Sequence, residues 1–335
     1  MPNFSEFFEI KKPLKLNKSK FIVFTVTAND MDILPFFLDH YRLLNVSQFF
    51  FLVDKSDDGT FEYLMNQSDV GIITSKLNFG QKISFKIFSP EEKVITNRAG
   101  IFFKYIIPHT MLQNNWVLIA DTDEFLELPK ENNDFFSLIE DLNHVSSKSC
   151  RALMVDMFPK NLQELKLGEN RPPVKYASYY NPPKYSWPEG HSKPTRYDLG
   201  REVRTLITRY YYKNLGKTND QSKISADIKN YKYPAMFKTP LAFWTSKTFV
   251  NAHFCSQVAT SKIQVALRHY HFRDNLVNKV KSAIEEKQYY NTSQNYVHLG
   301  FVIQSNPKLN LVGPQTKKFL NKKSFCDDNI CFNQL

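Results

Sequence analysis

Trp116-Val117-Leu118-Ile119-Ala120-Asp121-Thr122-Asp123-Glu124-Phe125 carries the decisive pattern of this chain. A short apolar run leads straight into two carboxylates spaced i, i+2, with a third behind them. A continuous run of this kind suits a strand buried on both faces. The acids then stand where that strand ends, and ligands of open α/β sheets bind outside the carboxyl ends of the strands. Clustered carboxylates repel one another unless a cation neutralises them, and a divalent metal is the usual solution. Mg²⁺ and Mn²⁺ take oxygen ligands, and Mg²⁺ sites combine one or two carboxylates with substrate phosphates. The stretch therefore points to a diphosphate held by Mn²⁺ or Mg²⁺. The plainer alternative is an acidic turn whose side chains are merely solvated.

With 335 residues the chain can bury a substantial core, in one large domain or one domain with a sizeable appendage. Its 42% apolar and 23% charged residues place it among folded chains rather than disordered ones. No apolar run approaches the roughly 18 residues needed to span a bilayer. The opening Met1-Pro2-Asn3-Phe4-Ser5-Glu6 lacks a signal-peptide apolar region. Cys150, Cys255, Cys326 and Cys331 are too few and scattered for a disulfide scaffold. Cys326 and Cys331 could pair, but reduced thiols fit better, and a cytoplasmic protein is expected. Residues 1–160 carry 17 Lys and Arg against 21 Asp and Glu, whereas the remainder carries 27 against 12. That basic second half suits a phosphorylated ligand or peripheral contact with an anionic membrane at its inner face. No zinc-finger spacing, Gly-rich RNA-binding signature or arginine tract is present, so nucleic acid is not an expected partner.

Upstream of the acidic stretch, Phe21-Ile22-Val23-Phe24-Thr25-Val26 reads as a strand ending in the polar loop Thr27-Ala28-Asn29-Asp30. Leu34, Phe37, Leu38, Tyr41 and Leu44 recur at helical spacing over Ile33 to Leu44. Phe49-Phe50-Phe51-Leu52-Val53 is a second buried strand and stops at Asp54. Ser56-Asp57-Asp58-Gly59-Thr60 is a turn able to cap a helix from Phe61 to Met65. Weaker strands are expected near 70–74 and 83–88, and a helix from Ile101 to Leu112. Strand–helix alternation of this kind predicts a doubly wound, mostly parallel α/β sheet over residues 1–160. Residues 161–335 differ in character. Prolines and tyrosines crowd 172–188, and Thr218-Asn219-Asp220-Gln221-Ser222 suggests a loop. Strands are expected at Phe237–Phe243, Thr248–Ala252 and Val265–Phe272, and a basic helix from Ile284 to Tyr290 behind Lys279 and Lys281.

Three of these segments together resemble the family 2-like, GT-A-fold glycosyltransferases. Asn29-Asp30-Met31-Asp32-Ile33-Leu34 through His40-Tyr41 looks like that group's opening segment. Phe51-Leu52-Val53-Asp54-Lys55-Ser56-Asp57-Asp58-Gly59-Thr60 resembles its strand-Asp-x-Ser-x-Asp-Gly-Thr motif, and Trp116 to Phe125 its Trp-x-x-x-x-Asp-x-Asp-Glu-Phe motif. Lys238-Thr239-Pro240-Leu241, His253 and Leu267-Arg268-His269-Tyr270 are similar to later landmarks. The match covers about 20–160 and is patchy over 235–285. Ala28, Asp30 and Lys55 depart from the family's usual Arg, Glu and Asn.

The resemblance implies a GT-A-type sheet, with residues 161–335 binding the acceptor and completing the metal shell of the same catalytic unit. It implies sugar transfer from a nucleotide-sugar donor, UDP-type favoured, to a glycan or lipid-linked acceptor in surface polysaccharide or lipopolysaccharide synthesis. Asp54 and Asp57 would hold the nucleotide, together with Thr27, Asn29, Asp121 and Arg268. Asp121 and Asp123 would face the metal, which His269 or His271 would complete. Each has a plainer reading: Asp57 as a turn residue, the histidines as satisfied core groups. Inverting chemistry, also implied by the resemblance, needs a general base. Asp156, ending the apolar run Ala152–Val155, is the first candidate and Glu202 the second. A non-catalytic glycan- or nucleotide-binding protein and a metal-dependent nucleotidyltransferase are the competing readings. The second would be expected to show a Gly-rich phosphate loop after the first strand, and Thr25-Val26-Thr27-Ala28-Asn29 has no glycine.

Overall fold

A computed structural model describes residues 4–17, 21–87, 93–198, 202–214, 235–251, 253–287, 289 and 293–335. Chain order gives β1 (Phe8–Lys12), β2 (Ile22–Thr27), β3 (Gln48–Val53), β4 (Val70–Ser75), β5 (Lys82–Ile87), β6 (Lys93–Arg98), β7 (Trp116–Ile119), β8 (Glu124–Glu127) and β9 (Ser149–Asp156). Short β10 (Tyr179–Tyr180), β11 (Lys184–Ser186) and β12 (Arg196–Asp198) follow, then β13 (Phe237–Phe243), β14 (Ile263–His269), β15 (Lys317–Lys318) and β16 (Phe332–Asn333). The main sheet runs β1-β4-β3-β2-β7-β13-β9-β14-β16, with β8 paired to β14.

β2 and β3 are buried at every position because both faces of the sheet are covered. Alternate residues serve opposite layers. Phe49, Phe51 and Val53 pack with Phe37, Tyr41 and Leu138 from the helices Leu34–Leu43 and Phe135–His144. Phe50 and Leu52 pack with Phe102, Phe103 and Ile106 from the helix Ala99–Met111. A third cluster lies among the helices Glu202–Asn214, Leu276–Glu286 and Gln294–Ser305.

β4, β3, β2 and β7 are mutually parallel. The expected parallel order therefore holds for these four strands, and the chain is α/β with a large mixed sheet. Within the first half β1 lies antiparallel on β4, and β5 and β6 form a separate antiparallel pair. The second half adds a further reversal. β13 runs antiparallel between β7 and β9, and β14 returns parallel to β9. Thr248–Ala252 does not form the expected strand: Val250 makes one isolated bridge to Cys255, and Ala252 lies outside the described residues. The expected loop at 218–222 lies outside them as well. The basic helix begins earlier than expected, at Leu276, and ends at Glu286, where Lys287 takes a left-handed φ of 51°. Lys279 and Lys281 therefore sit inside the helix. All four cysteines are free thiols, and no helix among the described residues is long and apolar enough to cross a membrane.

From β2 the chain moves outward to β3 and β4, then returns to place β7 on the other side of β2. The carboxyl ends of β2 and β7 thus flank a topological switch point, where such sheets form ligand crevices.

One core contact makes the fold pH-sensitive. His40 Nε2 donates to Leu126 O at 2.7 Å, and Arg268 Nη2 stands 3.4 Å from Nδ1. Burial and the Arg268 guanidinium push the imidazole pKa down to about 3. Below about pH 6.5 the unfolded chain takes up a proton that the folded chain refuses, so stability is lost as pH falls from 6.5 toward 3. The melting temperature should fall across that window, and His40→Gln should flatten the slope in a pH series of thermal melts.

Candidate active site

The loop after β2 is built around the Asp30 carboxylate. Thr27 Oγ1 and Thr122 Oγ1 donate to Oδ2 at 2.9 and 2.8 Å, and the Ala28 amide at 3.3 Å. Arg273 Nη2 reaches Oδ1 at 2.7 Å and Lys279 Nζ at 3.4 Å. Burial alone would raise this pKa; Lys279 and Arg273 outweigh it and hold the group ionised. The next amides are also engaged: Asn29 N donates to Ser56 Oγ, Asp30 N to Thr60 Oγ1 and Met31 N to Asp58 Oδ2. The loop is thus fastened to β7, to the 54–60 turn and to the helix Leu276–Glu286.

Asp121 and Glu124 follow β7. Lys104 Nζ lies 2.5 Å from Asp121 Oδ1, and Lys238 Nζ lies 2.6 Å from Glu124 Oε2 and 3.8 Å from Asp121 Oδ2. Lys238 gets there because β13 is antiparallel, so its first residues meet the carboxyl end of β7. Against the effect of burial, Lys104 and Lys238 keep the Asp121 pKa low. Burial raises that of Glu124 despite Lys238.

Asp123 faces β14, where its Oδ2 lies 3.6 Å from His269 Nε2. His269 Nδ1 is 2.7 Å from Asp156 Oδ1, and Arg204 grips Asp156 through both Nε and Nη2. Burial opposes charge on His269, but Asp123 and Asp156 outweigh it and raise its pKa. The flanking acids thus favour positive charge at Nε2, from a proton or a metal ion. His271 lies beyond the end of β14 rather than on its face. Its ring is 5.8 Å from that of His269, and burial and Arg204 keep it neutral.

Among the described residues no three His, Cys, Asp or Glu side chains converge as a metal cage. Asp121 is occupied by two lysines. Asp123 and His269 do fit a divalent ion of the kind that completes its shell with substrate phosphates and water. Their 3.6 Å separation is too long for a hydrogen bond, and the other ring nitrogen meets a carboxylate, as metal-ligating histidines require.

Three expected roles change. Asp156 is fully enclosed, and although burial opposes its charge, Arg204 holds its pKa below the carboxylate range. A general base needs a free lone pair near a neutral pKa, so Asp156 is not that base. Glu202 opens the helix Glu202–Asn214 and does not line the cavity; Arg204, two residues on, does. Arg268 alternates with His269 along β14 and so points to the opposite face. There it binds Glu127 at 2.6 Å and Tyr270 Oη at 2.7 Å, on the side of the sheet away from His269.

A cavity of about 260 Å³ joins these groups to Asp54, Arg98, Lys279 and Tyr289. A neighbouring one of about 640 Å³ shares Ala28, Asp54, Lys279 and Tyr289 and adds Asn29. Thr27 lines the first, but its hydroxyl is spent on Asp30. Asp54 is 9% exposed; its Oδ2 accepts from Phe79 N at 3.1 Å, while Oδ1 is buried with no protein partner. Burial raises its pKa. Asn29 Oδ1 accepts from the Asp57 amide at 2.8 Å. The Asp57 carboxylate is exposed and lines neither cavity, so Asp57 acts as a turn residue.

Lys104, Arg204 and His253 carry weight that the motifs did not assign. Lys104 had a visible signal, as one lysine in an otherwise apolar helix core, AGIFFKYIIPHTM. His253 donates from Nδ1 to Phe237 O at 3.0 Å, and burial followed by Lys238 lowers its pKa to about 4. It is a neutral member of the cavity wall rather than a purely structural residue. Arg204 had no signal, since its partner lies 48 residues away in sequence.

Lys238→Met should cost about 3–5 kcal/mol in denaturant unfolding, because it leaves buried acids without their ammonium; adding Glu124→Gln should recover most of that loss. Gly100→Ala places a Cβ 2.4 Å from the Phe79 ring. It should displace that ring, which lines the cavity, and lower the melting temperature while the far-UV circular dichroism spectrum stays unchanged.

No family model and no curated protein matches this chain. Among solved structures it is similar to UTP-bound UGPase from Acinetobacter baumannii, with 9% identity and a TM-score of 0.28 over 85% of this chain and 83% of that one. It is also similar to CMP:2-keto-3-deoxy-manno-octonic acid synthetase complexed with CTP, with 5% identity and a TM-score of 0.28 over 86% and 87%. Likenesses at that score carry no argument, so the chemistry rests on the chain's own residues.

Proposed function

We propose that this chain is a metal-dependent glycosyltransferase that moves a sugar from a nucleoside-diphosphate donor to a glycan or lipid-linked acceptor. One observation carries the reading. A single cleft at the switch point holds an unpartnered carboxylate oxygen on Asp54 at one place and the Asp123–His269 pair at another, with Arg98, Lys279 and Arg204 also lining it. Asp54 Oδ1 suits the N–H of a base or a ribose hydroxyl. The guanidinium and ammonium groups suit the diphosphate.

In glycosyl transfer, negative charge grows on the departing diphosphate. A divalent ion held by Asp123 and His269 would supply Lewis-acid stabilisation of that group. Lys279 and Arg204 are fixed by Asp30 and Asp156, so they offer positive charge without reorganising. Lys104 and Lys238 hold Asp121 and Glu124 in place and so shape the floor on which the diphosphate lies. Neutral His253 presents an imidazole to the cavity that can accept from a sugar hydroxyl.

Nucleotidyl transfer is the second reading, favoured by the number of cations around the cleft, which would also suit a triphosphate. The β2 loop weighs against it. Its amides from Ala28 to Met31 are all bonded within the protein and leave no backbone cradle for a phosphate chain.

A thermal-shift panel of nucleoside diphosphates, nucleotide sugars and nucleoside triphosphates, with and without Mn²⁺, tests the proposal. A ligand present at about 100 times its Kd should add about 2.7 kcal/mol of stability. Diphosphates should stabilise the wild type with Mn²⁺, and Asp123→Ala should abolish the metal-dependent part. Asp54→Ala should weaken binding with or without metal. Stabilisation by triphosphates alone, with pyrophosphate released from a triphosphate and a sugar phosphate, would replace this reading by nucleotidyl transfer.

A further inference from the structure

Asp156 and Arg204 form an enclosed ion pair beside the cleft, and Asp156 has no contact of its own with the donor. Their arrangement has one sharp consequence for His269. β9 and β14 are parallel, and Asp156 and His269 are register partners at their ends. Both side chains therefore leave the sheet on the same face, next to one another. The Asp156 carboxylate is completely enclosed and accepts from Arg204 on both oxygens, with Nη2 at 2.7 Å from Oδ1.

An ionised carboxylate can only accept, so His269 Nδ1, 2.7 Å from Oδ1, must carry its hydrogen and donate. Arg204 Nη2 lies 3.4 Å from the same nitrogen. That contact cannot be a bond, because both atoms are donors. Asp123 is fixed from the other side: the Tyr270 amide donates to its carbonyl oxygen at 2.8 Å. Thus the ring at the end of β14 and the acid that follows β7 are aimed at each other.

We propose that Arg204 and Asp156 are positioning residues that lock His269 with its hydrogen on Nδ1, turning Nε2 toward Asp123 as a ready ligand for a divalent cation. The proposal rests on the metal-dependent reading above and deepens it. The carboxylate that looked like a base is the orienter of a ligand, and the helix Glu202–Asn214 supplies the guanidinium that holds it. The same strand offers a contrast. Arg268 on the opposite face takes its own carboxylate, Glu127, and the imidazole beside it, His40, bonds the Leu126 carbonyl instead of a carboxylate.

Titration with Mn²⁺, with and without UDP, followed by electron paramagnetic resonance of the free ion, measures the ligand pair directly. Histidine ¹⁵N spectra of the metal-free protein report which ring nitrogen carries the hydrogen. The double variant Asp156→Asn, Arg204→Gln removes both charges together, so neither is left buried alone. Arg204→Lys keeps the charge but loses the two-pronged grip. The expected result is a roughly 10- to 100-fold weaker Mn²⁺ affinity in the double variant, with near-UV circular dichroism unchanged. His269 should lose its fixed Nδ1–H signature, and Arg204→Lys should fall between. A folded double variant that binds Mn²⁺ as tightly as wild type, or keeps that signature, would overturn the positioning role alone. A wild type that binds no Mn²⁺ in either condition would overturn it together with the metal-dependent reading. Should the double variant fail to fold, Arg204→Lys with unchanged Mn²⁺ affinity and an unchanged ¹⁵N spectrum would overturn it.

Discussion

The Asp30 carboxylate, enclosed and bound by Arg273, Lys279, Thr27 and Thr122, is the interaction on which the cleft depends. It ties the end of β2 to the residues after β7, and both to the start of the helix Leu276–Glu286. A buried carboxylate without such partners would be costly or would take up a proton. With them it becomes a fixed point. The energetics decide the layout. Three chain segments can approach so closely only because one negative charge receives two positive ones and two hydroxyls.

Charge balance governs the rest of the floor in the same way. Lys104 comes from the helix on one side of the sheet and Lys238 from the antiparallel strand, and they meet Asp121 and Glu124. Asp123 has no lysine and meets His269 instead. Two acids one residue apart therefore have different chemistry. Asp121 is already neutralised by two lysines, while the ionisable partner of Asp123 is an imidazole 3.6 Å away. The Asp-x-Asp spacing says nothing of this division, which depends on what three distant segments bring to the strand end.

Much of the first half was legible in the sequence. Buried strands are continuous apolar runs, and Phe49–Val53 and Trp116–Ile119 could be read as such without any knowledge of their neighbours. Their terminal acids, Asp54, Asp121 and Asp123, all reach the cleft. Hydrogen-bond and ion-pair partners were less legible, because pairing depends on register and strand direction rather than on local pattern. Asp156 looked like a free acid at a strand end until Arg204 was placed beside it. Arg268 and His269 are sequence neighbours expected to serve one site, but strand alternation separates them onto opposite faces. The antiparallel course of β13 was equally hidden, since a fully buried strand has the same composition in either direction.

That course has a consequence for the order in which the molecule is made. β7 and β9 are not neighbours; β13, some 80 residues later than β9, fills the gap between them. Until Phe237–Phe243 has left the ribosome, both strands present open edges of unpaired amides and carbonyls, a template for mispairing. The same late strand carries Lys238, so the acids after β7 also wait without their ammonium. The first half of the chain can lay down β2, β3 and β4, but the floor of the cleft closes only when the second half threads back into the sheet. Long-range pairing of this kind makes folding slow and leaves nascent chains in need of protection. A cleft that joins residues so far apart is assembled only after segments from both halves of the sequence are present.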